Sequence, residues 1–192
     1  MNKKGHLFVT EVLLNRNNMQ YGMWLKIGSI LPDILVHTYL VGHTWEKTFD
    51  KTAEKMMKLE KTGKMNRRSC LMLGYLLHYI EDYFTFPHNS YFTDGFIQHI
   101  RYEKNLTGYL KETEDSPKEL SGAMSGEFLI KYLRELHEKY EQETTCVETD
   151  EMYIFKAGGC VMYNYSRIFE KNLKETEMPK HNILRPNLPL QY

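Results

Sequence analysis

A stretch of 33 residues, from position 71 to 103, carries three histidines and two carboxylates at spacings that suit a metal site: His78, Asp82, His88, His99 and Glu103. A helix has 3.6 residues per turn, so His78 and Asp82 share one helical face, and His99 and Glu103 share a face of the next helix. Between the pairs, Pro87 ends helical geometry and leaves His88 on a connecting loop. Imidazole and carboxylate groups suit zinc, and a coordination position left for water distinguishes catalytic from structural zinc sites. The spacing therefore predicts a zinc site formed by two helices and a turn.

The simpler alternative is that these residues are ordinary polar side chains that bind no metal. A single His-x3-Asp pair more often marks a solvated helix face or one hydrogen bond than a metal site. Here the pair stands in an apolar helix, with Glu81 as the one further charge nearby; the neighbours of His78 are Leu71, Leu73, Gly74, Tyr75, Leu76, Leu77 and Ile80. Burying a polar group without a partner costs several kcal/mol. A metal ion would be that partner.

Further candidate ligands lie upstream, at His6, Asp33, His37 and His43. Taken singly, each is more often a surface or capping residue than a ligand. Asp33 follows Pro32 in a turn, where aspartate is common for local hydrogen-bonding reasons alone. The downstream group of ligand types is what makes these four residues candidates.

Length and net charge indicate a single domain without an overall basic surface. The 192 residues fit one domain with a sizeable core. Lys plus Arg equals Asp plus Glu at 25 each, so net charge is zero and gives no basic field for nucleic acid or anionic membranes. The local basic group at Lys61, Lys64, Arg67 and Arg68 is typical of a solvated helix end.

The cysteines and the N-terminal residues indicate a cytoplasmic protein. Cys70, Cys146 and Cys160 are odd in number and widely spaced, which favours reduced thiols over disulfides or a cysteine zinc site. The first 18 residues contain two lysines, but Thr10 and Glu11 interrupt the apolar stretch that a signal peptide requires. No apolar run reaches transmembrane length.

Hydrophobic periodicity predicts an all-α protein, a compact single-domain multi-helix bundle with a metal cluster between its helices. The expected helices are 5–16, 19–31, 44–62, 67–85, 92–112, 116–142 and 148–173. Thr44 is a candidate N-cap, Gly63 a C-terminal stop, and Thr93 or Asp94 a cap for the helix of His99. We expect weak points at 122–126 and at Gly158-Gly159. Residues 1–177 should form the domain, and the proline-rich 178–192 an extended arm.

The pattern His78-x3-Asp82-x5-His88, followed by His99-x3-Glu103, resembles the zinc-dependent phospholipase C family, which is similar in fold to single-strand-specific zinc nucleases. The surrounding Leu-Gly-Tyr-Leu-Leu-His-Tyr and Pro-His resemble the family's metal-binding core. The resemblance extends to His6 near the start and to Leu-Pro-Asp33 with His43 ten residues on. It covers roughly the first 105 residues.

The resemblance implies an all-α fold that holds two to three zinc ions. Position by position, it implies Asp33, His43, His78 and Asp82 at one zinc and His88, His99 and Glu103 at a second. His6 would bind a third, which Asp82 bridges to the first. The family's spacing favours His43 over His37. In exported members the third zinc is also held by the amino group and carbonyl of an N-terminal tryptophan, whereas Trp24 and Trp45 are internal here.

The chemistry that these residues predict is hydrolysis of a phosphate ester. Zinc lowers the pKa of bound water from near 16 to about 7, so a metal-bound hydroxide can attack phosphorus while the ions stabilise the attacking and leaving oxygens. Asp33 is the candidate base that orients this water or takes its proton. The resemblance favours a phospholipase C that acts on a phospholipid or a smaller phosphodiester. A nuclease or nucleotidase with the same cluster, and a non-catalytic metal-binding helical protein, are the alternatives.

Overall fold

A computed structural model describes residues 1–17, 19–35, 43–113 and 124–177, with side chains up to residue 174. Within these ranges the chain forms seven α-helices and one short 3-10 helix, without a β-strand, which confirms the all-α prediction. The α-helices are α1 (Lys3–Arg16), α2 (Gly22–Ile30), α3 (Trp45–Thr62), α4 (Arg67–Tyr83), α5 (Phe96–Glu112), α6 (Gly126–Tyr140) and α7 (Val147–Glu177), and the 3-10 helix is Phe86–His88. The proposed arm 178–192 lies outside the described residues, so the division into domain and arm stays a prediction.

Helix α4 is the central element. It packs most extensively on α2 and also contacts α1, α3 and α7. Every residue from Leu76 to Tyr83 is buried, so the helix is enclosed on all sides rather than on one stripe. Its side chains Leu73, Leu76, Leu77 and Ile80 are completely buried, and burial of each such side chain contributes roughly 1.5–3 kcal/mol. Consequently His78, Glu81 and Asp82 belong to the core.

Two glycines allow α2 and α4 to cross unusually closely. A Cβ added to Gly28 would lie 2.1 Å from the Leu71 carbonyl oxygen, and one added to Gly74 would lie 2.0 Å from that of Leu25. Any larger residue would therefore collide with the facing backbone, not with a side chain that can move. The crossing brings Ser29, which follows Gly28, against His78, one turn after Gly74.

Helix ends agree with the sequence where local capping decides them. Asn2 caps α1 by accepting hydrogen bonds from the backbone N–H groups of Lys4 and Gly5. Gly63 ends α3 with a positive φ of 57°, as predicted for a C-terminal stop. Thr44 is at the predicted N-cap position of α3, although its conformation is simply extended and its hydroxyl makes no cap hydrogen bond within the described residues.

Two predictions about helix limits were wrong. Helix α5 begins at Phe96 after Gly95, not at 92 after Thr93 or Asp94, since residues 92–95 are non-helical and follow a turn in which the Phe92 N–H donates to the Asn89 carbonyl. The start of the predicted helix 116–142 lies outside the described residues; its described part runs from Gly126, with Ser125 as N-cap, just past the predicted weak point at 122–126. Helix α7 runs through Gly158-Gly159 without a break, since Gly158 packs against Leu13 and Leu77 in the core.

No helix in the described ranges combines the length and the apolar character that crossing a membrane requires.

We predict that Gly74→Ala lowers the free energy of unfolding by about 3 kcal/mol, because the added methyl group forces the α2 and α4 backbones apart. Gly108→Ala is the matched control: Gly108 is an exposed residue inside α5 whose Cβ would meet nothing within 4 Å. Its substitution should stabilise by about 0.5–1 kcal/mol, as expected for an unhindered helical position. Urea unfolding of both variants measures the difference, and equal stabilities would contradict the close crossing.

Candidate metal centre

The structure brings all eight predicted site residues together, although they come from six elements or turns. Their atoms form three groups in which one nitrogen or oxygen per residue lies within 4.8 Å of the others: His6, His78 and Asp82; Asp33, His43 and His78; and His88, His99 and Glu103. His37, the competitor of His43, lies outside the described residues. The five residues from 78 to 103 converge from α4, the 3-10 turn and α5, as their spacing predicts.

Asp82 joins the groups, because each of its carboxylate oxygens faces a different set of histidines. Its Oδ2 lies 3.3 Å from Nδ1 of His43 and 3.3 Å from Nε2 of His78. Its Oδ1 lies 3.2 Å from Nε2 of His6 and 3.7 Å from Nε2 of His88. A carboxylate in this position can bridge two cations.

The backbone of α2 fixes the ring of His78. The Ser29 carbonyl oxygen lies 2.9 Å from Nδ1 of His78. A carbonyl can only accept, so Nδ1–H is the donor and Nε2 carries the free lone pair. That Nε2 lies 3.1 Å from Nδ1 of His43 and 3.8 Å from Oδ1 of Asp33. The hydrogen bond therefore aims the metal-binding nitrogen at the centre of the cluster.

Glu81 orients the ring of His6, a role that the sequence did not predict. Oε2 of Glu81 lies 2.6 Å from Nδ1 of His6, and both side chains are completely buried. With Nδ1 engaged in this way, Nε2 of His6 is directed at Asp82. Carboxylates that hold a ligating histidine in one orientation are usual around metal sites. The signal in the sequence was a second carboxylate, next to Asp82, in an otherwise apolar helix.

The third group is the most exposed part of the cluster. Glu103 Oε1 lies 2.9 Å from Nε2 of His99, four residues before it on α5, and 3.1 Å from Nε2 of His88 on the 3-10 turn. The side chains of His99 and Glu103 are 28% and 15% exposed, and that of Asp33 is 22% exposed. Solvent therefore reaches the cluster at Asp33 and His99, whereas His6, His78 and Asp82 are sealed inside.

A positive charge already occupies the space between the groups. The amino group of Met1 lies 2.5 Å from Oδ1 of Asp82, 3.1 Å from Oε1 of Glu103 and 3.1 Å from Nε2 of His88. Although burial opposes the charged form, Asp82 and Glu103 raise the pKa of this amino group to about 11. The surrounding side chains thus favour a cation at this point.

The pKa values follow from burial and mutual charge. Burial lowers the pKa of His6 to about 3 and that of His88 to about 4, so both rings are neutral at pH 7, as metal binding requires. Burial alone would raise the pKa of Asp82, but the neighbouring histidines and the Met1 amino group hold it well below its usual range. Burial and the adjacent Asp82 raise the pKa of Glu81 well above its usual range.

The donor set fits zinc. Nε2 of His6 and Nε2 of His43 are buried, and neither makes a well-aligned hydrogen bond within the part of the chain that the structure describes, although Nε2 of His6 lies 3.2 Å from Oδ1 of Asp82. Buried polar atoms nearly always have a partner, and each unsatisfied one costs about 1–3 kcal/mol. Neutral imidazole nitrogens beside ionised carboxylates are ligands that zinc prefers. A zinc ion between His6, His78 and Asp82 would satisfy Nε2 of His6 and balance the negative charge of Asp82.

A family model described as zinc dependent phospholipase C matches residues 6–146, well over half of the chain. The chain belongs to the zinc-dependent phospholipase C family. The matched range contains all eight candidate ligands and Glu81. Membership implies a zinc-dependent hydrolase with a phospholipid-type substrate. No curated protein and no solved structure matches the chain.

Neither tryptophan of the chain lies in the described metal-ligand groups. Trp24 lies on α2 beside Arg67, and Trp45 stacks on His137 with ring centroids 3.8 Å apart. The amino group near Asp82 belongs to Met1.

We predict that Glu81→Ala weakens zinc binding by about 10- to 100-fold, because the His6 ring loses the acceptor that orients it. Glu81→Gln keeps an oxygen at this position and should restore most of the affinity. Competition for zinc against a chromophoric chelator measures both constants. Equal affinity of the alanine variant and the wild type would exclude this role for Glu81.

Proposed function

We propose that this family member hydrolyses the phosphodiester bond of a phospholipid and releases diacylglycerol and a phosphorylated head group. The observation that carries the proposal is the convergence of five histidines and three carboxylates on one partly exposed cluster, with buried His6 and His43 nitrogens that make no well-aligned hydrogen bond in the described chain. A purely structural zinc site is usually closed, whereas this one has carboxylate and imidazole groups in contact with solvent.

We assign Asp33, His43, His78 and Asp82 to one zinc ion and His88, His99 and Glu103 to a second. His6 and Asp82 would hold a third ion. Zinc bound there would act as a Lewis acid that activates water and neutralises the phosphate charge. The protein's contribution is to hold the nitrogens in one tautomer, through Ser29 and Glu81, and to keep the inner ligands dry.

Asp33 is the proposed catalytic base. It is the carboxylate of the cluster with the greatest exposure, and one of its oxygens lies 3.8 Å from Nε2 of His78. Partial burial raises the pKa of Asp33, with His78 opposing the shift, which makes it a better proton acceptor than an ordinary aspartate. A carboxylate at the border of cluster and solvent can orient a water molecule and take its proton.

Apolar side chains beside the exposed ligands favour a lipid over a nucleotide. Ile34 follows Asp33 and is 54% exposed, and Ile100 follows His99 and is 50% exposed. Phe96, one turn before Ile100, is 64% exposed. Acyl chains would cover such side chains, whereas a nucleotide would leave them in water.

We predict two to three equivalents of zinc in protein purified without added metal or a histidine tag, measured by elemental analysis. Asp33→Asn should then reduce kcat for phosphatidylcholine by about 10²- to 10⁴-fold, because it removes the base. Asparagine keeps one oxygen that can still bind zinc, so zinc content and melting temperature should fall much less than kcat. Asp50→Asn is the control, since Asp50 is an exposed residue of α3 that pairs with Arg134.

The outcomes separate the three candidate functions. Release of phosphocholine from phosphatidylcholine supports the phospholipase C. Cleavage of single-stranded DNA or of nucleotides, without cleavage of phospholipid, would show that the protein is a nuclease or nucleotidase instead. Bound zinc with no hydrolysis of either class, or a fully active Asp33→Asn variant, would contradict the proposed mechanism.

A further inference from the structure

The short turn that carries His88 needs a hydrogen-bond partner from outside. Pro87 has no N–H, and the His88 N–H bonds to the Thr85 carbonyl, 2.9 Å away. The Phe86 N–H, at the start of the turn, is left to find an acceptor elsewhere. A preceding threonine often serves as such a cap, but the Thr85 hydroxyl donates back to the Glu81 carbonyl in α4, at 3.0 Å.

Asp150 of α7 supplies the missing acceptor. Its Oδ2 accepts the Phe86 N–H at 2.9 Å, across 64 residues of sequence. Its Oδ1 accepts the hydroxyl of Tyr140, the last residue of α6, at 2.7 Å. Asp150 is completely buried, and the two oxygens thus tie the turn to α6 and α7.

The direction of the Asp150 side chain is unusual for its position. It stands in the first turn of α7, where an acidic residue ordinarily interacts with that helix's own N–H groups. Here the carboxylate points to another element. Burying an ionised carboxylate is costly unless donors surround it, and the well-aligned donors here are the Tyr140 hydroxyl and the Phe86 amide, with the Tyr102 hydroxyl also nearby. A role within α7 alone would not require this burial.

The far end of the same turn is held in a similar way. Nε2 of His137 on α6 lies 2.9 Å from Oδ1 of Asn89, the residue after His88. Asn89 in turn donates to the Thr85 carbonyl at 3.0 Å. The turn is therefore held before and after His88, and its ring is left with little freedom relative to Glu103 and Asp82.

We propose that Asp150 is a positioning residue for the zinc site: by binding the Phe86 N–H it fixes the turn that presents His88 to Glu103 and His99. The proposal rests on the proposed zinc ligands. Asp150 lies beyond the matched range 6–146, so the family match does not assign it a role. It gives the C-terminal helices a function in the site, although they contribute none of the eight ligands.

The test is zinc content and affinity of the full-length protein. Asp150→Ala should lower the affinity for one zinc ion by about 10- to 100-fold and leave the others bound. His88→Ala should show the same pattern. In the His88→Ala background, Asp150→Ala should cause no further loss of zinc, because its effect passes through His88. Asp150→Asn keeps an acceptor for the Phe86 amide and should restore much of the affinity.

Glu151→Ala is the matched control. Glu151 is the next residue of α7 and is also largely buried, but it accepts from Thr113 instead of the His88 turn. It should lower the melting temperature while all zinc ions stay bound. Should Asp150→Ala not fold, Tyr140→Phe is the substitute: it removes the hydroxyl that holds Oδ1 of Asp150 and should weaken binding of the same zinc ion to a smaller extent, with Asp150→Asn close to the wild type.

Wild-type zinc affinity in Asp150→Ala, or an equal loss of all ions, would overturn the positioning role. Additional zinc loss from Asp150→Ala in the His88→Ala background would do the same. These results leave the proposed hydrolase intact, because the wild type would still bind zinc and cleave phospholipid. A wild type without zinc would overturn both.

Discussion

The close crossing of α2 and α4 is the constraint on which the metal cluster depends. Gly28 and Gly74 face the opposite backbone with no room for a Cβ, and this distance is what brings the Ser29 carbonyl to Nδ1 of His78. If the helices were farther apart, the imidazole could rotate or change tautomer, and Nε2 would no longer point at Asp82. The close packing of α2 on α4 is therefore what keeps the His78 imidazole in the orientation and tautomer that metal binding requires.

A second consequence is that charge in the core couples stability to the cation. Helix α4 carries Asp82 in the interior with its pKa held well below its usual range, and an unbalanced carboxylate there is strongly unfavourable. His6 and His88 give it no balancing charge at pH 7, because burial lowers the pKa of both rings. A bound cation or the Met1 amino group can balance this carboxylate, and removing a metal should loosen the helices that it joins.

The sequence predicted the parts of the site that depend on local periodicity. A spacing of four on a helix placed His78 with Asp82 and His99 with Glu103, and Pro87 correctly put His88 outside a regular α-helix. What it did not predict depends on long-range contacts. The Ser29 carbonyl has no side-chain signal, and Asp150 is 64 residues from its partner in the turn. The start of α5 was also misjudged, since neither Thr93 nor Asp94 caps the helix and Gly95 is at the N-cap position.

These long-range contacts link the segment that bears the ligands to the helices that follow it. The first 103 residues provide every proposed ligand, but their turn at 86–88 lacks an internal acceptor for the Phe86 amide. Helices α6 and α7 provide one in Asp150 and a second anchor in His137, which meets Asn89. Since a 3-10 turn of three residues has little stability of its own, its geometry must come from what it packs against. The C-terminal helices are therefore a structural condition for the second zinc site, and the folded unit that supports catalysis extends beyond the ligand-bearing segment.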